Sequence, residues 1–371
     1  MKAGWQTKPF EDCIEKVTYT TKIQRKDFLE EGQFPIVSQE ESFINGYWSD
    51  VADVFSVTTP VVVFGDHTKV LKYVDFDFVL GADGVKLLPP KGFLLPKFFY
   101  YQLQSVNLES LGYARHYKLL RELELRYPPL PEQQRIVTLI DEAFDGIATA
   151  KVNAEKNLQN TRAIFESHLQ SVFTQRGDGW TEKRLADVCA ITSTLVDPRK
   201  PEFFDLTHVG AGNIESKTGA FVELKTAREE GLISGKFLFD ESMVLYSKIR
   251  PYLMKVARPD FNGLCSADMY PLAPIPGMAD KDYLFHLLLS KHFTDYAIEG
   301  SARAGMPKVN REHLFEFRVF MPSVSKQREI AAKFDDLHGE TQRLQSIYQQ
   351  KLTALDELKK SLLHRAFNGD L

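Results

Sequence analysis

Pro128-Pro129-Leu130-Pro131-Glu132-Gln133-Gln134-Arg135-Ile136-Val137 has a counterpart 194 residues further on, in Pro322-Ser323-Val324-Ser325-Lys326-Gln327-Arg328-Glu329-Ile330-Ala331. Each copy begins on a proline that ends a short strand pattern: Leu123, Leu125 and Tyr127 in the first, Phe317, Val319 and Met321 in the second. Each then leads through a polar turn into a long stretch without proline, Glu132 to Phe173 and Lys326 to Phe367. The two stretches align without a gap, pairing Gln133 with Gln327, Asp141 with Asp335, Leu169 with Leu363 and Phe173 with Phe367. Gly4-Trp5 near the start is likewise echoed by Gly179-Trp180. The chain is therefore an internal repeat whose order is domain, helix, domain, helix.

The spacing inside the long stretches predicts helices. Ile330, Phe334, Leu337, Thr341, Leu344 and Tyr348 advance in alternating steps of four and three, the seam of a coiled coil, and Leu352, Leu355 and Leu362 continue it after a small shift of register. Ile136, Ile140, Ala143, Ile147 and Ala150 mark the same stripe in the first copy, with Gly146, Gly177 and Gly339 as weak points. A helix of about 40 residues is roughly 60 Å long, and one such stripe alone would face water. The economical solution packs the two copies together. Because the first helix leads from the first domain to the second, its partner has to run back, which predicts an antiparallel pair and an approximate two-fold axis. The expected fold is α+β, with segments at 1–128, 129–178, 179–321 and 322–371.

Each globular half reads as short strands broken by turns. Val61–Phe64, Val70–Tyr73 and Phe76–Leu80 are expected strands of the first half, followed by a turn at Gly81–Gly84; Met243–Tyr246, Tyr252–Ala257 and Met269–Leu272 are those of the second. A helix is expected near the end of each half, at Lys97–Gln104 and Asp282–Phe293. Polar clusters punctuate the strands at comparable places. Asp66, His67, Thr68 and Lys69 follow Gly65, and Ser247, Lys248 and Arg250 precede Pro251. A loop rich in glycine and basic residues carries Arg303, Lys308, Asn310 and Arg311, and its shorter counterpart carries Arg115, His116 and Lys118. Arg and Lys reach guanine edges and phosphates, and Asn pairs with adenine, so these residues are the candidate DNA contacts.

Composition excludes several classes. A net charge of −4 and a pI near 6.2 do not mark a general nucleic-acid binder, so basic groups have to be concentrated on one face or supplied by a partner. Cys13, Cys189 and Cys265 are scattered, without metal-ligand spacing, and read as reduced buried thiols. No apolar run reaches bilayer length and no signal peptide is present, which points to the cytoplasm. No phosphate-loop, dinucleotide or N-P-P-[YF]-like amino-methyltransferase motif occurs, and Asp141-Glu142-Ala143-Phe144, superficially a helicase box, lies within an amphipathic helix. The remaining enzymatic rival is a metal-dependent nuclease built on Asp197, Glu223 and Lys225; a pure assembly scaffold is the other alternative.

The proline, polar turn and Gln-bearing helix at 128–137 and 322–330, together with Asn213-Ile214, Lys248-Ile249-Arg250-Pro251-Tyr252-Leu253 and Lys308-Val309-Asn310, resemble the specificity subunits of type I restriction enzymes along essentially the whole chain. The resemblance implies two target-recognition domains, each reading half of a split site in double-stranded DNA, held apart by two conserved helices. It also implies that the helices dock two modification (methyltransferase) subunits, with Gln133, Arg135, Gln327 and Arg328 as docking candidates, and that restriction subunits join that core. The chain itself is then non-catalytic and without a cofactor; S-adenosylmethionine, ATP and Mg2+ belong to the partners.

Overall fold

The structure, a computed structural model, describes residues 4–82, 84–112, 114–174, 177–301, 306–368 and 370. Its helices are α1 (Pro96–Ser105), α2 (Tyr117–Arg121), α3 (Leu130–Thr174), α4 (Lys281–Leu289), α5 (Lys291–Glu299), α6 (Arg311–Glu316) and α7 (Val324–Asn368). Two compact units emerge, one of residues 1–155 and 350–371, the other of residues 156–349. Both long helices contribute a segment to each unit. None of the helices is long and apolar enough to cross a membrane, among the described residues.

In the first unit, Val61–Gly65 is the centre of a three-stranded antiparallel sheet with Leu71–Val74 and Val85–Leu88. Successive side chains on a strand point to opposite faces, so an uninterrupted apolar run serves two cores. Val61 and Val63 pack with Val37, Phe78 and Leu80 of a second, five-stranded sheet, whereas Val62 and Phe64 pack against α1, Ile136 and Ile140 of α3, and Leu363 of α7. The second unit repeats this logic. Leu245 of Val244–Ser247 faces a core with Val209, Phe239 and Cys265, while Val244 and Tyr246 face Tyr283, Phe293 and the long helices.

The base of each unit is the same two-stranded ribbon. Gln6–Pro9 pairs antiparallel with Glu124–Tyr127, and Thr181–Arg184 pairs antiparallel with Arg318–Met321. Each ribbon is followed by an equivalent backbone bond, Phe10 N–H to Leu123 O and Leu185 N–H to Phe317 O.

Within each unit the two long-helix segments run antiparallel. Lys359 lies over the Phe144 ring and Lys151 pairs with Asp356 in the first; Phe165 meets His338 and Phe173 stacks on Phe334 in the second. Ile136, Ile140, Ile147, Ala154, Thr161 and Leu169 form the buried stripe of α3, and Ile330, Phe334, Thr341, Leu363 and Ala366 that of α7. Gly146 and Gly339 lie on the exposed faces and do not interrupt the helices: a cost of about 1 kcal/mol each is small against the seam. All three cysteines are free and buried.

Two expected elements differ. The helix expected at Asp282–Phe293 is two helices, because Ser290 leaves the helical region (φ −69°, ψ 148°) and its Oγ accepts the Phe293 N–H as an N-cap. The strand expected at Tyr252–Ala257 begins with a 3-10 turn at Pro251–Leu253, flanked by Arg250 (φ 48°) and Met254 (φ 50°), and only Val256–Ala257 pairs as a strand. Of the expected turn at Gly81–Gly84, Gly81 ends a strand, and Asp83 lies outside the described residues.

Candidate nucleic-acid interface

Each long helix is fastened to its globular half by two residues at repeat positions. Gln133 is fully buried; its Oε1 accepts the Leu95 N–H at 2.8 Å and its Nε2 donates to Phe93 O (2.8 Å) and Pro128 O (2.9 Å). Gln327 repeats this with the Asp280 N–H at 2.8 Å and with Met278 O and Pro322 O, both at 3.0 Å. Leu95 and Asp280 are the residues just before α1 and α4, so each amide holds a helix start that lacks intrahelical partners. Two turns on, Asp141 accepts from Tyr101 Oη (2.5 Å) and Lys97 Nζ (2.8 Å), while Asp335 accepts from His286 Nε2 (2.8 Å) and the Arg258 guanidinium (2.6 and 2.9 Å). Gln133 and Gln327 are therefore internal anchors, a correction to their expected place on a docking surface: every polar atom of the amide is used within the chain. Arg135 and Arg328 are exposed, paired with Glu132 and Asp280 respectively.

In both units the two expected loops are stitched together. In the first, the buried Asp66 accepts the Tyr117 N–H through Oδ1 at 2.7 Å, and its carbonyl accepts the His116 N–H at 2.8 Å. His116 is buried as well; its Nε2 accepts the Leu111 N–H, which leaves Nδ1 to donate to Asp66 O at 3.0 Å. Asp66 and His116 thus hold the two loops together and do not present their side chains outward, which departs from the expectation of DNA contact. Gln39 braces the same turn, accepting the His67 N–H through its side chain and the Thr68 hydroxyl through its carbonyl. A Cβ at Gly65 would collide with Thr68 and Gln39, so that close approach requires glycine. Thr68, Arg115 and Lys118 are exposed, His67 is partly so, and Lys69, in the left-handed region (φ 62°), donates to Leu108 O at 3.3 Å.

In the second unit, Arg250 N–H donates to Pro307 O (2.9 Å), Val309 N–H to Lys248 O (2.8 Å), and Ile249 bridges to Lys308. Lys248 and Lys308 both lie 3.5 Å from Asp268, and burial pushes the Lys248 ammonium down from its ordinary value, Lys308 adding to the effect. Asn310 caps α6, its Oδ1 accepting the His313 N–H, and Ser247 is buried with its hydroxyl directed to Ile249 O. Arg250, Lys308, Asn310 and Arg311 are exposed; Arg303 lies outside the described residues. Tyr252 and Met306, exposed to 51% and 56%, flank this cluster and were not among the expected contacts. Their signal in the sequence is adjacency alone, to Arg250 and Lys308. The arrangement displays cations and apolar groups on a preformed loop pair, the equipment for reading base edges and phosphates. Asp197 is held by a bidentate pair with Arg199, Nε donating to Oδ1 and Nη2 to Oδ2, and no group of three or more His, Cys, Asp or Glu gathers as metal ligands among the described residues.

The fastening differs between units in one titratable way. His286, equivalent to Tyr101, is buried with Nδ1 unpartnered, and burial pushes its imidazole below the ordinary 6.5, opposed in part by Asp335. Burial pushes the Asp335 carboxyl up, but hydrogen bonds from His286 and Arg258 outweigh it and hold the carboxyl well below the usual range. A folded-state pKa below the unfolded one means that the unfolded chain gains more protons on acidification, so this stability is present above about pH 6.5 and is lost as pH falls. The expected result is a urea midpoint for the second unit that drops between pH 7 and pH 5, with a smaller drop in His286→Tyr; equal drops would exclude His286 as the source.

Residues 177–352 match the family described as type I restriction modification DNA specificity domain. The EcoDI specificity subunit of Escherichia coli is 34% identical over 250 residues, which are 64% of this chain and 55% of that protein, so the match spans just over half of that relative's length. The EcoR124I/EcoR124II specificity subunit of Escherichia coli is 22% identical over 87% of this chain and 85% of its own. The fold is that of a chain in the structure described as the basis of complex assembly and conformational transition of the type I R-M system (TM-score 0.73, 16% identity, 100% of this chain and 99% of the other). It is also that of the HsdS subunit from Thermoanaerobacter tengcongensis (TM-score 0.62, 16% identity, 100% and 98%). With the repeat and its doubled anchors, these likenesses make the chain similar to the specificity subunits of type I restriction-modification systems, the family match covering residues 177–352.

Proposed function

We propose that this chain is the DNA-recognition subunit of a type I restriction-modification enzyme, each unit reading one half of a two-part site in double-stranded DNA. The observation that carries the reading is the doubled loop pair: in each unit, two separate polar loops are tied by backbone bonds and leave cations facing outward, Arg115 and Lys118 in one, Arg250, Lys308 and Arg311 in the other. The halves differ in these loops while sharing their anchors, as two readers of unlike half-sites on one scaffold require. The long helices set the length of the spacer between half-sites, and their exposed faces, where Arg135 and Arg328 lie, dock two modification subunits and, through them, restriction subunits. S-adenosylmethionine, ATP and Mg2+ act on those partners, and the chain works without catalysis of its own in the cytoplasm.

The test is selection from random DNA pools by the full chain with its modification subunits. A single two-part motif is the expected product, and absence of enrichment favours a protein scaffold. Arg250→Ala is expected to relax preference at one or two positions of the half-site read by the second unit, by about 1–3 kcal/mol for a bidentate base contact. Uniform weakening on every sequence would make Arg250 a phosphate contact instead.

A further inference from the structure

The repeat places a cavity at equivalent positions in the two units, and the two cavities differ in their charged groups. In the second unit a cavity of about 300 Å³ is lined by Arg162, Phe165, Glu166 and Leu169 of α3 together with Met254 and Leu289. Moving those four helix positions by the repeat offset gives Asp356, Lys359, Lys360 and Leu363 of α7, which line a cavity of about 430 Å³ in the first unit. There the aromatic ring has become Lys359, the carboxylate Lys360 and the guanidinium the carboxylate of Asp356, and Leu289 is matched by the amide of Gln104.

We infer that the first-unit cavity is a phosphate-binding cleft that holds the DNA backbone beside the half-site read by that unit, an inference that rests on the proposed DNA-recognition function. Three lysines converge on it. Lys69 stands at the end of the Gly65–Lys69 loop, and its Nζ is held at the lip by Leu108 O, 3.3 Å away. Lys359 is steadied over the Phe144 ring, 4.6 Å from its centre, and Lys360 is exposed. The one carboxylate of the lining, Asp356, is engaged by Lys151 at 2.8 Å, which leaves the cleft cationic. A duplex carries a negative charge every ~1.7 Å, so a cleft that continues a DNA-reading loop meets phosphates before any other anion. The equivalent cavity of the second unit has the Phe165 ring in place of one ammonium, Glu166 ion-paired to Lys217, and Arg162 as its one exposed guanidinium, against three lysines in the first. The backbone grip beyond the half-site is therefore the stronger in the first unit.

The deciding measurement is the salt dependence of binding to the selected motif by the full chain with its modification subunits. Each phosphate contact contributes about 0.9 to the slope of log affinity against log salt, so Lys359→Gln with Lys360→Gln is expected to lower that slope by about 2 while the motif stays the same. Lys360→Gln alone, which keeps the Lys359 contact with Phe144, is expected to lower it by about 1, and the two arginine replacements to restore it. An unchanged slope overturns the inference. So does an unchanged slope with loss of co-purifying modification subunit, which would assign the cleft to an acidic segment of that partner. Failure of DNA recognition itself would show differently, as no enriched motif with the unaltered chain, and would overturn the inference with it.

Discussion

Phe334→Ala is expected to lower the stability of the second unit by about 4 kcal/mol, the middle of the range for a lost core aromatic. Phe334 is fully buried and stands where four rings meet: Phe173 stacks on it at 5.8 Å, and His286, His168 and Phe165 lie at 5.1, 5.5 and 6.5 Å. Those rings come from α3 and α4 and meet Phe334 of α7, so truncation leaves a void that no single element can close. Its repeat equivalent, Ile140, occupies the same place in the first unit with a smaller side chain. Trp180, which packs on the second-unit core, can report the transition in a chain whose Trp5 and Trp48 are replaced by phenylalanine. A urea midpoint that corresponds to less than about 1 kcal/mol of loss would mean that the helix pair contributes little to that unit.

A four-residue insertion in α3 beside Thr161, matched by one in α7 beside Thr341, is expected to lengthen the spacer of the recognised site and leave both half-sites unchanged. Thr161 and Thr341 are both buried in the stripe, and Arg162 and Thr341 line one cavity, so the paired insertion keeps the seam facing itself. Four residues add about one turn, roughly 6 Å, close to two base-pair steps. Methylation mapping in cells that carry the altered chain reads the outcome. A spacer of the original length would remove the helices from any role in setting it.

How much of this was legible in the sequence depended on whether a residue's role is fixed by its own neighbours along the chain. The long helices and their seam were legible because Ile330, Phe334 and Thr341 keep a spacing that only a paired helix uses. The ribbon at the base of each unit was legible as a strand ending in proline, but its partner, Gln6–Pro9 or Thr181–Arg184, lies more than a hundred residues away and was marked only by the Gly-Trp echo. Strands such as Lys22–Ile23 and Leu195–Val196 are two residues long, too short to carry any period. The misjudged polar residues share one cause. Gln133, Gln327, Asp66 and His116 looked like surface contacts because they are polar, yet each is buried and bonded to a backbone group distant in sequence, Asp66 O in the case of His116, and sequence does not reveal such partners. Arg250 was a candidate by type and position, but its left-handed backbone and the exposed Tyr252 beside it came only from the fold.

The most direct measurement is the methylation pattern laid down when this chain is coexpressed with the modification subunit that the proposed function assigns to it, in cells that otherwise lack that activity. The account predicts one motif of two specified blocks separated by a spacer of constant length and free sequence. A single uninterrupted motif, or methylation with no motif at all, would contradict it.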